Sequence, residues 1–133
     1  MVKVLDASAL AAYLWKQPGY EKVRELLVKA AESERKLFMS TVNAGEVFYL
    51  LIRDHGLEEA ARIFQSAETL PIEFIPVDLE MAQQAAIYKA IQKLPYADCF
   101  VAALAKLKKA ELVTADKEFK AVEGEVKILW LNR

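Results

Sequence analysis

The sequence predicts an α/β fold of three layers, α/β/α, with a mostly parallel central sheet of about five strands. Short apolar runs of strand length alternate along the chain with longer segments whose apolar residues recur at helical spacing. The chain has 133 residues, enough for one domain and too few for two ordinary ones. Hydrophobic residues make up 55% of it, which provides for a full core and argues against disorder. We therefore expect one domain spanning residues 1–133.

The first half of the chain contains clear boundaries between these elements. The first apolar run ends at Asp6, and Pro18 with Gly19 stops the helix that follows. Gly56 separates two later helices in the role usual at a helix C-terminus. The predicted elements are strands at 2–5 and 37–40 and helices at 8–15, 20–33, 42–55 and 57–69.

In the second half, prolines mark two boundaries. Pro76 interrupts an apolar run and suits the end of a strand or an edge strand. Pro95 cannot lie inside a helix, so the next helix begins near Tyr96 or Ala97. The predicted elements are strands at 72–77, 111–114 and 126–130 and helices at 79–93 and from 96 or 97 onward.

The predicted helix at 42–55 is unusually apolar. Residues 47–52 are apolar on nearly every side of it. A helix of this kind is buried by neighbours all round, and a second subunit is one candidate for such a neighbour. This segment favours a homodimer.

Composition limits the classes of protein and the location. A net charge of −1 argues against broad, non-specific nucleic-acid binding, although it allows a local basic rim. Cys99 is the only cysteine, so no disulfide forms within the chain, which fits a reducing compartment. Asp6 breaks the first apolar run too early for a signal peptide, and no segment approaches the ~20 apolar residues of a membrane span. We expect a cytoplasmic protein.

Four acids lie where the carboxyl ends of parallel strands would meet. Asp6 ends the first strand, and Asp116 follows the strand at 111–114. Glu46 lies one turn into the helix after the second strand, and Asp98 lies in the first turn of its helix. Ligands bind at this edge of open α/β sheets. The topology therefore predicts that the four carboxylates converge on one cleft.

Each acid also has a purely structural interpretation. Asp6 and Asp116 suit helix N-caps, and Asp98 suits the positive end of its helix dipole. Asn43 to Glu46 suits a capping box. Together, however, four converging carboxylates repel one another and raise one another's pKa unless a cation neutralises them.

The predicted donor set indicates which cation would bind. Carboxylate oxygens without paired histidine or cysteine ligands suit Mg²⁺ or Mn²⁺ rather than Zn²⁺. A divalent ion held in this way can activate water and stabilise charge on a phosphate and its leaving oxygen. The predicted cluster therefore indicates hydrolysis of phosphodiester bonds without an amino-acid nucleophile.

Four short motifs, in this order, resemble those of PIN-domain ribonucleases, and in particular VapC-type toxins. They are Asp6-Ala7-Ser8, Asn43-Ala44-Gly45-Glu46-Val47, Ala97-Asp98-Cys99-Phe100 and Val113-Thr114-Ala115-Asp116-Lys117-Glu118-Phe119. The resemblance spans the whole chain. It implies endonucleolytic cleavage of RNA, often by a homodimer that an antitoxin inhibits by covering the cleft. It also implies that Asp6, Glu46, Asp98 and Asp116 bind the metal, and that Ser8 and Thr114 help to hold a water or orient an acid.

Several lysines flank the acidic segments. They suit contacts with RNA phosphates, although solvated helix faces are the simpler account of each. These lysines are Lys89, Lys93, Lys117 and Lys120.

Two other functions compete with a nuclease. A signalling receiver domain has a similar length and an acidic Mg²⁺ pocket, and Asp78 would then accept a phosphoryl group. However, Asp6 is followed by Ala7 rather than by a second acid, no lysine follows the last strand, and Glu46 and Asp98 would lack a purpose. Asp78 also suits the N-cap of the next helix. The second competitor is a non-catalytic partner-binding module, whose stability would not respond to Mg²⁺.

Overall fold

A computed structural model describes residues 1–132. In chain order the elements are β1 (Lys3–Leu5), α1 (Ala7–Leu14), α2 (Tyr20–Ser33), β2 (Leu37–Ser40), α3 (Thr41–His55), α4 (Leu57–Ala67), β3 (Ile72–Ile75), α5 (Leu79–Ile91), α6 (Tyr96–Lys108), β4 (Glu111–Thr114), a 3₁₀ helix (Lys117–Val122) and β5 (Ile128–Trp130).

The five strands form one sheet in the order β3-β2-β1-β4-β5, and every pairing is parallel. β1 is central: Val4 pairs with Phe38 of β2 and Leu5 with Val113 of β4. The carboxyl ends of all five strands therefore lie at the same edge. The predicted three-layer α/β fold with a central parallel sheet is confirmed.

Two hydrophobic cores cover the two faces of the sheet, because successive strand residues point to opposite sides. Val4 and Leu112 pack with α5 and α6, whereas Leu5 and Val113 pack with α1 to α4. α6 is the most deeply buried helix, with every residue from Asp98 to Ala105 buried. Asp98, the acid in this run, is therefore held against the hydrophobic core.

Element boundaries differ from the prediction where turn chemistry intervenes. β3 ends at Ile75, before Pro76, which has no N–H to continue the ladder. β5 begins only at Ile128, because the amides of Glu125 and Val126 donate to the Val122 carbonyl in a turn. β2 passes directly into α3, whose N-cap is Ser40.

The expectation that α3 is buried on all sides is wrong within the described structure. Val47 and Leu51 face the core, but Tyr49 is 57% exposed. α5 is the helix with apolar residues on both sides. Met81, Ala85 and Tyr88 face the core, while the opposite side exposes Leu79 (73%), Ile87 (51%) and Ile91 (72%).

No helix within residues 1–132 is both long enough and apolar enough to cross a membrane.

Candidate metal centre

Asp6 lies at the carboxyl end of β1 and is almost fully buried. Its carboxylate caps α1 by accepting a hydrogen bond from the Ala9 amide at 2.8 Å. The Ser8 hydroxyl donates to both of its oxygens, at 2.8 and 2.9 Å, and the Thr114 hydroxyl donates to Oδ2. Burial outweighs these hydrogen bonds and raises the pKa of Asp6 to about 6. Asp6 thus forms the predicted N-cap of α1, and its carboxylate also feels the negative charge of Asp116.

The sheet register explains the contact with Thr114. Leu5 pairs with Val113, so Asp6, just past the end of β1, lies beside Thr114, the last residue of β4. The Asp6 amide donates to the Val113 carbonyl at 3.2 Å. The Ser8 hydroxyl accepts a hydrogen bond from the Ala115 amide at 3.1 Å. The hydroxyls of Ser8 and Thr114, which the resemblance suggested as supporting groups, thus both donate hydrogen bonds to the Asp6 carboxylate.

Asp98 lies in the first turn of α6 and is 8% exposed. Burial is the largest cause that raises its pKa to about 7, and the carboxylates of Asp116, Asp6, Glu46 and Glu118 add to it. Within residues 1–132, no hydrogen bond reaches its carboxylate. Asp98 is therefore the acid most strongly affected by the negative charge of its neighbours.

Asp116 follows β4 and caps the 3₁₀ helix by accepting a hydrogen bond from the Glu118 amide at 2.9 Å. This cap also brings the Glu118 side chain to the site. Carboxylate oxygens of Asp98, Asp116 and Glu118 all lie within 4.8 Å of one another. Glu118 was not predicted as a site residue. Its signal in the sequence is a second acid two positions after Asp116, which the N-cap hydrogen bond holds near the first.

Glu46 faces the same cluster from α3. Its Oε1 atom is buried and has no hydrogen-bond partner among the described residues. Burial raises the pKa of Glu46, the Asn43 amide lowers it, and the Asp116 carboxylate raises it again. The capping-box interpretation is wrong, because the N-cap of α3 is Ser40 rather than Asn43. The Ser40 hydroxyl accepts a hydrogen bond from the backbone amide of Asn43.

This arrangement fits a divalent cation. A buried carboxylate oxygen without a partner is unfavourable unless something not described here satisfies it. Burial is the largest cause of the raised pKa of Asp98, and repulsion from carboxylates in other parts of the chain adds to it. The donors are all oxygens, as Mg²⁺ and Mn²⁺ prefer. Asp98, Asp116 and Glu118 have carboxylate oxygens close enough together to share such an ion, whereas Asp6 and Glu46 lie beside this group and are not part of it.

The other predicted positions fall in different settings. Lys89 donates to the Leu94 carbonyl at 2.9 Å and closes the turn between α5 and α6. Lys93, Lys117 and Lys120 are exposed, and the last two lie in the 3₁₀ helix that follows Asp116. The Asp78 carboxylate caps α5 by accepting the Met81 amide at 2.9 Å, as its structural interpretation predicts.

Comparison with known proteins agrees with this geometry. A family model described as the PIN domain matches residues 3–125. No curated protein matches the sequence. Among solved structures, the DNA-bound VapBC2 complex of Rickettsia felis contains a chain that is 18% identical, with a TM-score of 0.76 and coverage of 97% of this chain and 98% of that chain.

Two further structures are similar to the same extent. The DNA-bound VapBC of Salmonella typhimurium has 18% identity, a TM-score of 0.76 and 98% coverage of each chain. The sarcin-ricin loop cleaving VapC toxin of Mycobacterium tuberculosis has 18% identity, a TM-score of 0.72 and coverage of 90% of this chain and 94% of that chain. These matches show a shared fold and confirm the resemblance that the sequence motifs indicated.

Proposed function

The chain belongs to the PIN-domain family, and from this premise we propose that residues 1–133 form a single endoribonuclease domain that depends on Mg²⁺ or Mn²⁺. One observation supports the proposal: carboxylate oxygens of Asp98, Asp116 and Glu118 lie within 4.8 Å of one another at the carboxyl edge of the sheet. The carboxylates of Asp6 and Glu46 are near enough to raise the pKa of Asp98, and Glu46 Oε1 has no hydrogen-bond partner among residues 1–132. In this proposal the protein is the toxin of a toxin–antitoxin pair and acts in the cytoplasm.

Asp6, Glu46, Asp98 and Asp116 are the proposed metal-binding residues. When bound, the divalent ion supplies Lewis-acid chemistry that activates water and stabilises charge on the phosphate. Asp98 binds a proton in the metal-free protein near neutral pH and releases it when a cation binds, because its pKa is raised to about 7 by burial and by the neighbouring carboxylates.

Two hydroxyl groups have a positioning role in this proposal. Ser8 and Thr114 both donate hydrogen bonds to the Asp6 carboxylate. With the Ala9 amide, they fix the orientation of a carboxylate at the centre of the sheet edge. Asp6 would then present the same face to the ion without reorganising when RNA binds.

Exposed lysines near the acids are the proposed contacts with RNA. Lys117 and Lys120 lie on the 3₁₀ helix that begins beside Asp116, and Lys93 lies just before α6. Their charges would offset the repulsion between the acidic cluster and the phosphates. Lys89 is a weaker candidate, because its ammonium group already binds the Leu94 carbonyl.

We propose two protein partners. The matched structures include toxin–antitoxin complexes, so a small antitoxin is expected to bind this chain. A second copy is the proposed partner of the exposed side of α5. Leu79, Ile87 and Ile91 project from an exposed face of α5 that also carries the polar residues Glu80 and Gln83. Such a face suits packing against another helix.

Cleavage of a mixed-sequence RNA tests the activity. We expect endonucleolytic products with Mn²⁺ or Mg²⁺ and none after chelation. Asp98→Asn should abolish cleavage with the fold intact, whereas Asp54→Asn, which changes an exposed acid at the end of α3, should retain it. Cleavage without metal, or equal cleavage by the Asp98 variant, would refute the proposal. Co-purification of the product of an adjacent short reading frame would test the antitoxin.

A further inference from the structure

Asn43 is a buried polar residue whose hydrogen bonds connect two of the helices that carry acids. It lies in the first turn of α3 and is fully buried. Its Nδ2 donates to the carbonyl oxygen of Ala97, in the first turn of α6, at 3.0 Å. Glu46 follows Asn43 by three residues on the same side of α3, and Asp98 follows Ala97 directly. This bond therefore connects the two helices next to their acids.

A second hydrogen bond fixes the orientation of the Asn43 amide. The Ser40 hydroxyl donates to Asn43 Oδ1, and it also accepts the Asn43 backbone amide at 3.2 Å. Because the amide oxygen accepts from Ser40, the NH₂ group must point towards Ala97. Ser40 is also fully buried, so water does not compete for these bonds.

This connection opposes an electrostatic force. The Glu46 carboxylate is one of the charges that raise the pKa of Asp98, so the two acids repel each other across the gap between α3 and α6. Without the hydrogen bond between Asn43 and Ala97, this repulsion would favour separation of the N-terminal ends of α3 and α6. The hydrogen bond to Ala97 limits that separation at the point where it would alter the spacing of the carboxylates.

We propose that Asn43 is a positioning residue that sets the spacing of the Glu46 and Asp98 carboxylates and so determines the affinity of the centre for its divalent ion. This inference rests on the proposed function, because it assumes that both acids hold the ion. Asn43 would act through the two acids rather than as a ligand, both by its bond to Ala97 and by its side-chain interaction with Glu46, which lowers the pKa of that carboxyl. Removing a residue that orients ligands typically weakens metal binding by about 10–100-fold.

Titration calorimetry with Mn²⁺ on the chelator-treated full chain tests this proposal. We expect Asn43→Ala to raise the Mn²⁺ dissociation constant by about tenfold or more. At saturating Mn²⁺, its KM for RNA should stay close to the wild-type value, since Asn43 is buried away from solvent. A dissociation constant within twofold of wild type would overturn the inference.

Thr41 provides a matched control. It lies in the same turn of α3, and its hydroxyl accepts the Val77 amide at 3.3 Å, so it connects α3 to the segment after β3 rather than to α6. Thr41→Val removes a bond of similar type without touching the acids and should leave Mn²⁺ affinity unchanged. Equal weakening by both variants would show general loosening of α3 and would also overturn the inference.

Ser40→Ala decides the question if Asn43→Ala does not fold. It leaves the Asn43 amide in place but frees its orientation, so we expect Mn²⁺ binding to weaken by a smaller factor. Unchanged affinity would count against the inference. If the wild-type protein itself does not bind Mn²⁺, the proposed function fails and this inference fails with it, whereas wild-type binding with no effect of Asn43 refutes the inference alone.

Discussion

The Thr114 hydroxyl donates a hydrogen bond to the Asp6 carboxylate, which joins residues 108 positions apart in the chain. The contact exists because β1 and β4 are neighbours in the sheet and end at the same level. It satisfies a carboxylate oxygen that has little access to water. The stability of the fold and the shape of the acidic centre therefore depend on the same bond.

Replacing Thr114 by valine should destabilise the protein. The variant keeps the shape of the side chain but removes one of the two hydroxyl donors to the buried Asp6 Oδ2 atom, the other being Ser8, and the loss of such a bond to a carboxylate typically costs about 1–3 kcal/mol. Urea unfolding at neutral pH measures this loss. Thr69→Val is the control, because Thr69 is exposed and its hydroxyl bonds only to the Ser66 carbonyl. Equal losses in the two variants would contradict the importance of the Asp6 contact.

The metal-free protein should become less stable as the pH rises from about 4 to about 7. The pKa values of Asp6 and Asp98 are raised to about 6 and about 7 in the folded chain, whereas an unfolded aspartate has a pKa of about 3.9. The folded state therefore binds more protons in this range, and its stability is lost as these protons dissociate. Because one pKa unit corresponds to about 1.4 kcal/mol, the two raised pKa values together set an upper limit of roughly 7 kcal/mol on this fall in the free energy of unfolding.

Denaturation at a series of pH values with a chelator present checks this expectation. Asp98→Asn should flatten the profile, because it removes the carboxylate with the highest pKa among these acids. Saturating Mn²⁺ should flatten it as well, since the ion competes with protons for the carboxylates. A metal-free protein that gains stability between pH 5 and pH 7 would contradict the raised pKa values.

Glu118→Gln should weaken metal binding without loss of the fold. Glu118 is exposed, and its carboxylate lies within 4.8 Å of those of Asp98 and Asp116. We expect the increase in melting temperature produced by Mn²⁺ to become smaller, because a ligand stabilises the folded state in proportion to its binding free energy. Glu32→Gln changes an exposed acid on α2 and serves as the control. Identical Mn²⁺ responses would exclude Glu118 from the centre.

Ile87→Glu should dissociate the proposed dimer. The substitution places a charge in the middle of the exposed apolar side of α5, where a dimer would bury it without a partner. Sedimentation velocity should show a dimer for the wild-type chain and a monomer for the variant. Val28→Glu introduces the same charge at an exposed valine of α2 and should remain dimeric. A monomeric wild-type protein would contradict the role assigned to α5.

The sequence was sufficient to predict the parallel sheet. The convergence of the four predicted acids on one ion stays a prediction, because only Asp98 and Asp116 among them belong to the described group of carboxylates within 4.8 Å of one another. Alternating strands and helices require crossover connections, and these place all strand ends at one edge. The order of the strands was not predictable, because several orders bury the same apolar runs. That order makes Thr114 a neighbour of Asp6.

Local backbone geometry explains the two residues that were misjudged. Glu118 lies beside the acids because the Asp116 carboxylate caps the 3₁₀ helix by accepting a hydrogen bond from the Glu118 amide; Asp116 was expected to suit an N-cap, but the consequence for Glu118 was not anticipated. Asn43 resembled an N-cap, but α3 begins directly at the end of β2, so Ser40 takes that role. The Asn43 side chain is then available for Ala97.

The separation of the acids along the chain also bears on synthesis of the protein. Asp6 and Glu46 leave the ribosome early, whereas Asp98, Asp116 and Glu118 come from the last third of the sequence. The strand that follows α6 must pair with β1 before these groups can meet. During synthesis, Asp6 and Glu46 therefore cannot become part of the acidic centre until α6 and β4 have been translated and β4 has paired with β1.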